Sequence, residues 1–165
     1  MTTPTRVSGT DLRTMMRIIK APDSGEDGIG LPRSVLPELA SLIRCEVVHF
    51  NGVDSDHRRW YFGQQSTGTE NEYDEGPPLF WTHYWASPCS YPDRTSDAHG
   101  VYKVTDLCSQ REWRCSPMYV DLIGRGGIEH ELILFMADGN GRTHRLIFER
   151  HRGDRDFIRS NWRPI

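Results

Sequence analysis

The side chains able to do chemistry in this chain are seven histidines, four cysteines and a dense run of aromatic rings. The histidines are His49, His57, His83, His99, His130, His144 and His151. They form no HExxH pair, and no Cys/His cluster has zinc spacing, so metal ligation is not expected. There is no GxSxG elbow, no Walker A loop and no GxGxxG, and the glycines at 124–127 and 139–141 read as turn punctuation. The cysteines Cys45, Cys89, Cys108 and Cys115 make no CxxC pair and read as reduced thiols. Cys89 sits in an irregular segment followed by Asp93 and Arg94. It reads either as a sensing thiol or as a small apolar filler.

The aromatic density is the distinctive feature. Phe80, Trp81, Tyr84, Trp85 and Tyr91 crowd residues 78–91, and Trp113 and Tyr119 follow. Rings with a few polar tips supply what a small-molecule pocket needs, apolar area plus sparse hydrogen-bonding groups, and the same rings can equally fill a core. As a pocket, Trp81, Tyr84, Trp85 and Trp113 would form the walls and His83, His130 and Arg94 the polar contacts. Cys89 and Tyr119 complete the expected ligand-binding set. As an enzyme, the same pocket would use His83 or His130 as general acid or base, with Tyr84 or Asp93 assisting. No nucleophile–base spacing marks such a site. A third reading is a protein–protein or dimerising module without a ligand.

These groups have to be positioned by an alternation of helices and hairpins. Ser8 and Asp11 form a capping box, and Leu12, Met15, Met16 and Ile19 then make one apolar helix stripe. A second helix begins near Pro32 and presents Val35 or Leu36, Leu39, Leu42 and Ile43. Residues 45–54 read as a strand closed by Asn51-Gly52, paired with 57–65 in a hairpin. Residues 66–77 read as a polar loop. An aromatic helix is expected over 78–87 with Trp81, Tyr84 and Trp85 on one face, then an irregular stretch over 87–97. Residues 101–106 read as a short strand or a lead-in to a helix, which follows over 109–124 and restarts at Pro117. Ile128, His130, Leu132, Leu134 and Met136 would share one face of a strand over 128–138. A Gly139-Asn140-Gly141 turn returns it through 142–150. This order predicts an α+β fold, an antiparallel sheet of at least four strands with helices packed on it, in the manner of PAS and GAF sensors.

A chain of 165 residues has room for one domain. With 20 basic and 23 acidic residues its net charge is −3, unlike a dedicated nucleic-acid binder. Charge is uneven: residues 51–80 carry six acids against Arg58 and Arg59, a net of −4, and residues 142–165 carry seven arginines against three acids, a net of +4. The basic tail reads as a docking surface or, more simply, as a solvated strand face with ion-pair partners in the acidic segment. No apolar run approaches the ~20 residues that span a bilayer, and the start has no signal-peptide h-region. A cytoplasmic location, no membrane association and no cofactor are expected.

Several spaced motifs carry a resemblance. Phe80-Trp81-x-His83-Tyr84-Trp85, Cys89-Ser90-Tyr91-Pro92-Asp93-Arg94-Thr95-x-Asp97, Ser109-x-Arg111-Glu112-Trp113, Met118-Tyr119-x-Asp121 and Gly127-Ile128-Glu129-His130-Glu131-Leu132 resemble the amino-terminal sensor region of actinobacterial LuxR-family transcriptional regulators. The similarity runs over about residues 9–157, with 1–8 expected as a disordered start and 158–165 as a tail or linker. It implies a GAF-like fold and the sensing of a small-molecule ligand whose identity the resemblance does not give. Family members carry a carboxy-terminal helix-turn-helix, which is not in this sequence. Its end, DRDFIRSNWRPI, also departs from the polar helix that usually leads there. Direct nucleic-acid binding by this chain is therefore not expected, the chain is either a piece of a longer regulator or a stand-alone relative, and a homodimer stays open.

Overall fold

The structure, a computed structural model, describes residues 8–21, 30–67, 78–97, 100–137 and 142–158. The chain start, the loops expected at 23–30 and 66–77, the Gly139-Asn140-Gly141 turn and the tail beyond 158 lie wholly or largely outside the described residues. Among the described residues no helix is long and apolar enough to cross a membrane.

Five strands form one antiparallel sheet, confirming the α+β reading: β1 (Val47–Asp54), β2 (Arg59–Gln65), β3 (Gly100–Lys103), β4 (Ile128–Ala137) and β5 (Thr143–His151), in the order β2-β1-β5-β4-β3. Both faces are covered. On one lie helix α2 (Val35–Ile43) and the segment ending at Phe157, against Val48, Phe50, Leu146 and Phe148. On the other lie α3 (Pro78–His83), α4 (Tyr91–Thr95), α5 (Val104–Leu107), α6 (Gln110–Cys115) and α7 (Pro117–Asp121), with 3₁₀ turns at Tyr84–Ala86, Pro88–Ser90 and Ile123–Gly126. Their rings pack on Val53, Ile133, Phe135 and Ile147.

Local signals account for most boundaries. Ser8 and Asp11 close the expected capping box on α1 (Gly9–Ile19). Ser109 with Glu112 does the same for α6, and Pro117 restarts the chain as α7. The carbonyls left open at the end of α2 accept from Arg150, whose Nε bonds Arg44 O and whose Nη2 bonds Ile43 O, both at 3.0 Å. The guanidinium also covers the Phe157 ring at 4.1 Å, tying the last described residues to α2. Among the described residues the basic tail is thus largely used internally: Arg152 reaches Glu129, and Arg142 reaches Asp54 of the acidic segment at 3.6 Å.

Four expectations are corrected. The α1 stripe is outward, with Leu12, Met16 and Ile19 exposed and Thr14 buried, because α1 packs on α2 rather than across the sheet. The segment over 87–97 is more regular than expected, holding a 3₁₀ turn and α4. Asn51-Gly52 does not end β1 but runs through it to a turn at 55–58. A Cβ at Gly52 would sit 2.5 Å from Phe62 Cε1 and equally hard against the Tyr61 ring, so glycine is required by packing rather than by a turn. Gly52→Ala is expected to destabilise by about 1–3 kcal/mol of overpacking, measured by urea unfolding. Finally, a bulge lies between Ile128 and His130. It turns Ile128, which pairs with His151, away from the face of His130, Leu132 and Leu134.

Candidate functional site

Strand alternation gives the helix-covered face of the sheet an unusual composition. Across it run Gln65, His49, Ile147 and Ile133 in one row, and Gly63, Asn51, Arg145 and Phe135 in the next. Glu149 and Glu131 stand opposite each other across β5 and β4 in a third. The opposite face of the same strands is Val48, Phe50, Leu146, Phe148, Leu132 and Leu134. Polar side chains are thus interspersed with Ile147, Ile133 and Phe135 on a face that is covered by helices.

Over this face opens a cleft of about 430 Å³. His49, Asn51, Gly63, Gln65 and Glu149 line its floor. Leu122, Ile123 and Gly126, from the end of α7 and the following 3₁₀ turn, line it above, with Trp60 and Ile128 at the sides. A Cβ added at Gly63 would meet nothing within 4 Å, so the space continues directly over that strand. His49 Nε2 lies 3.2 Å from Glu149 Oε2.

Behind the floor the charges are deeply buried. Arg145 is 1% exposed, donates from Nε to Asn51 Oδ1 at 3.1 Å, and leaves Nη2 without a hydrogen-bond partner. Glu131 is 2% exposed, and its Oε2 has no partner either. Burial, and then the charge of Glu149, push its carboxyl up to about 8, with Arg145 opposing. Burial and the nearby Glu131 likewise push the Cys89 thiol up to about 11, which fits an inert filler better than a reactive thiolate.

The residues expected to bind a ligand divide into three groups. Trp81, Tyr84, Cys89, Trp113 and Tyr119 come together as expected, but as packed core. Phe80, Trp81 and Tyr84 touch ring to ring at 5.0–5.3 Å, and Trp113 lies 5.5 Å from Tyr119. The two tyrosine hydroxyls are spent on neighbours. Tyr84 donates to Asp93, and burial raises its phenol well above the usual range. Tyr119 donates to Glu129 at 3.2 Å. His83 Nε2 meets Asp121 Oδ2 at 2.8 Å, tying the end of α3 to α7. Trp85, at 45% exposure, and Arg94 face outward. His130 lies on the other sheet face, its Nε2 3.1 Å from Asp154 O. The four groups considered for acid–base chemistry, His83, Tyr84, Asp93 and His130, are thus not gathered at one site.

Glu129, the extra residue of the bulge, organises the cover of the cleft. It accepts from Arg114 Nε at 2.5 Å, from Gln110 Nε2 at 3.0 Å and from Tyr119, with Arg152 Nε at 3.4 Å. Burial alone would raise its carboxyl, but the Arg114 bond and charge outweigh this and hold it below the usual glutamate value. α6 and α7 are thereby fixed to β4 beside Ile128.

Sequence reasoning missed Asn51, Gln65, Glu131, Arg145 and Glu149. The available signal was parity: His49-x-Asn51 around Phe50, and Arg145 and Glu149 beside Leu146 and Phe148, alternate with apolar positions. Among the described residues no group of three or more His, Cys, Asp or Glu gathers as a metal site would, and all four cysteines are free thiols.

No protein-family model matches the chain, and no curated protein matches it. Among solved structures it is similar to the crystal structure of the VqsR LBD domain from Pseudomonas aeruginosa. The TM-score is 0.59 at 14% identity, over 88% of this chain and 82% of that one. At this identity the likeness is one of fold alone, to a domain named for ligand binding.

Proposed function

We propose that this chain is a ligand-sensing domain of the LuxR-regulator type, GAF-like in architecture and cytoplasmic, that takes a small organic molecule in the cleft over β2, β1 and β5. The observation that carries this reading is the cleft itself. It combines apolar sides with a polar floor, and its volume lies within the roughly 300–1,000 Å³ of small-molecule sites. The fold shared with the VqsR LBD domain supports it, as do the motifs of the sequence. The site proposed is not the aromatic cluster, whose rings are occupied with one another. A ligand between the floor and the Ile123–Gly126 turn would bias the packing of α7, and a DNA-binding partner would read that change. Such a response requires the ligand to prefer one packing over the other.

Gly63→Trp tests the reading. Gly63 has a backbone that any residue adopts and open space above it, so the indole is expected to fill the cleft at little cost in stability. Calorimetry or Trp60 fluorescence against a metabolite panel is expected to find a ligand for the native chain and at least a tenfold loss of affinity in the variant. Equal affinity in the two would place the ligand elsewhere.

A further inference from the structure

We propose that the effector of this domain is a small amphipathic carboxylic acid, and that Arg145 is the residue that takes its carboxylate. The inference rests on the ligand-sensing reading and names the chemical class of its ligand.

Arg145 carries five N–H donors and, among the described residues, uses one of them, Nε to Asn51. No described carboxylate comes within the 4.0 Å of an ion pair. A buried charge in that state is costly unless a counter-group arrives. The contacts it keeps are two ring faces, Phe80 at 5.1 Å and Trp60 at 5.9 Å, which stabilise a cation but leave its edge free. That planar edge matches a carboxylate, which can accept two parallel N–H bonds from it.

The position suits a ligand. Arg145 does not itself line the cleft, but Asn51, which accepts from its Nε, and Trp60, whose ring centre lies 5.9 Å from the guanidinium, both do, so Arg145 is one side chain removed from the cleft. The two acids on the same face do not serve as its counter-ion. Glu149 engages His49, and Glu131, whose Oε2 has no hydrogen-bond partner, makes no ion pair with the guanidinium, while burial raises its carboxyl against ionisation although Arg145 opposes this. The remaining lining, Trp60, Leu122, Ile123 and Ile128, asks for an apolar body behind the acid group.

The test is a matched series on the wild-type chain at pH 7: 4-phenylbutanoate and decanoate, each against its primary amide and its methyl ester, by calorimetry. At least one acid is expected to bind tenfold or more tightly than both neutral analogues, with the preference lost in Arg145→Gln and binding lost in Gly63→Trp. Amide or ester binding as tightly as the acid overturns the proposal. If that neutral binding disappears in Gly63→Trp, the ligand-sensing reading survives without it. Acid binding that persists in Gly63→Trp overturns the proposal as well, and binding by no member of the series counts against both. Should Arg145→Gln fail to fold, the comparison of acid with amide and ester on the native chain decides alone.

Discussion

Glu131→Gln is expected to stabilise the protein increasingly as the pH is raised from 5 to 9. The Glu131 carboxyl ionises near 4.5 in the unfolded chain and near 8 in the folded one, because burial and the facing Glu149 both disfavour its charge. A folded-state value above the unfolded one means that the native protein holds a proton the unfolded chain has released. Stability contributed by the neutral carboxyl is therefore complete below pH 4.5 and is lost as pH rises through 8. At about 1.4 kcal/mol per pH unit, the loss has a ceiling of about 5 kcal/mol above pH 8. Glutamine has the shape of the neutral acid and no proton to lose, so the two proteins should melt alike at pH 5. At pH 9 the variant should melt higher by several degrees or more, since 1 kcal/mol moves the midpoint of a chain this size by roughly 2–4 °C. Parallel melting curves across the range would refute the assignment. Glu149→Gln, which removes only the second cause, should flatten the wild-type profile in part.

Trp113 should separate packing from hydrogen bonding. It is 0% exposed, packs against Tyr119 and belongs to the core under the helices, yet its indole Nε1 has no hydrogen-bond partner. Trp113→Ala opens a large cavity and is expected to cost about 3–5 kcal/mol in urea unfolding. Trp113→Phe keeps most of the ring and deletes a buried unpaired donor, whose burial costs roughly 1–3 kcal/mol. The phenylalanine variant should therefore lose less than half of what the alanine variant loses. Equal losses would mean that the indole nitrogen has a partner in solution, such as a bound water.

Particular elements show why some of this was legible in advance. Ser8 with Asp11, and Pro117 after Cys115, act within one helical turn, so a linear reading finds them. The hairpin of β1 and β2 followed from two adjacent strand-forming runs, although β1, read as apolar on both faces, carries His49 and Asn51 on one of them. Asn51-Gly52 misled because its turn preference is local, whereas the need for glycine comes from the Tyr61 and Phe62 rings closing over it. The parity of Ile128 misled because periodicity assumes an unbroken register, and one inserted residue, Glu129, reverses the face. The aromatic segment was read correctly as a cluster for Trp81 and Tyr84 but not for Trp85, which the 3₁₀ turn after His83 leaves exposed, and sequence treats a ring in a core and a ring on a pocket wall alike.

The sequence by itself determined an α+β chain of capped helices and paired strands, with apolar residues at every second position of β1, β4 and β5. Those are properties of neighbours along the chain, set by backbone sterics, hydrogen-bond capping and the period of each element. Only the tertiary structure decided that the intervening His49, Asn51, Glu131, Arg145 and Glu149 lie under helices rather than in water. The cost of desolvating a charge depends on what covers it, and the cover here comes from residues far along the chain, in α7 and the turn after it. That long-range cover makes a polar strand face, unremarkable in solvent, into the floor of a cleft.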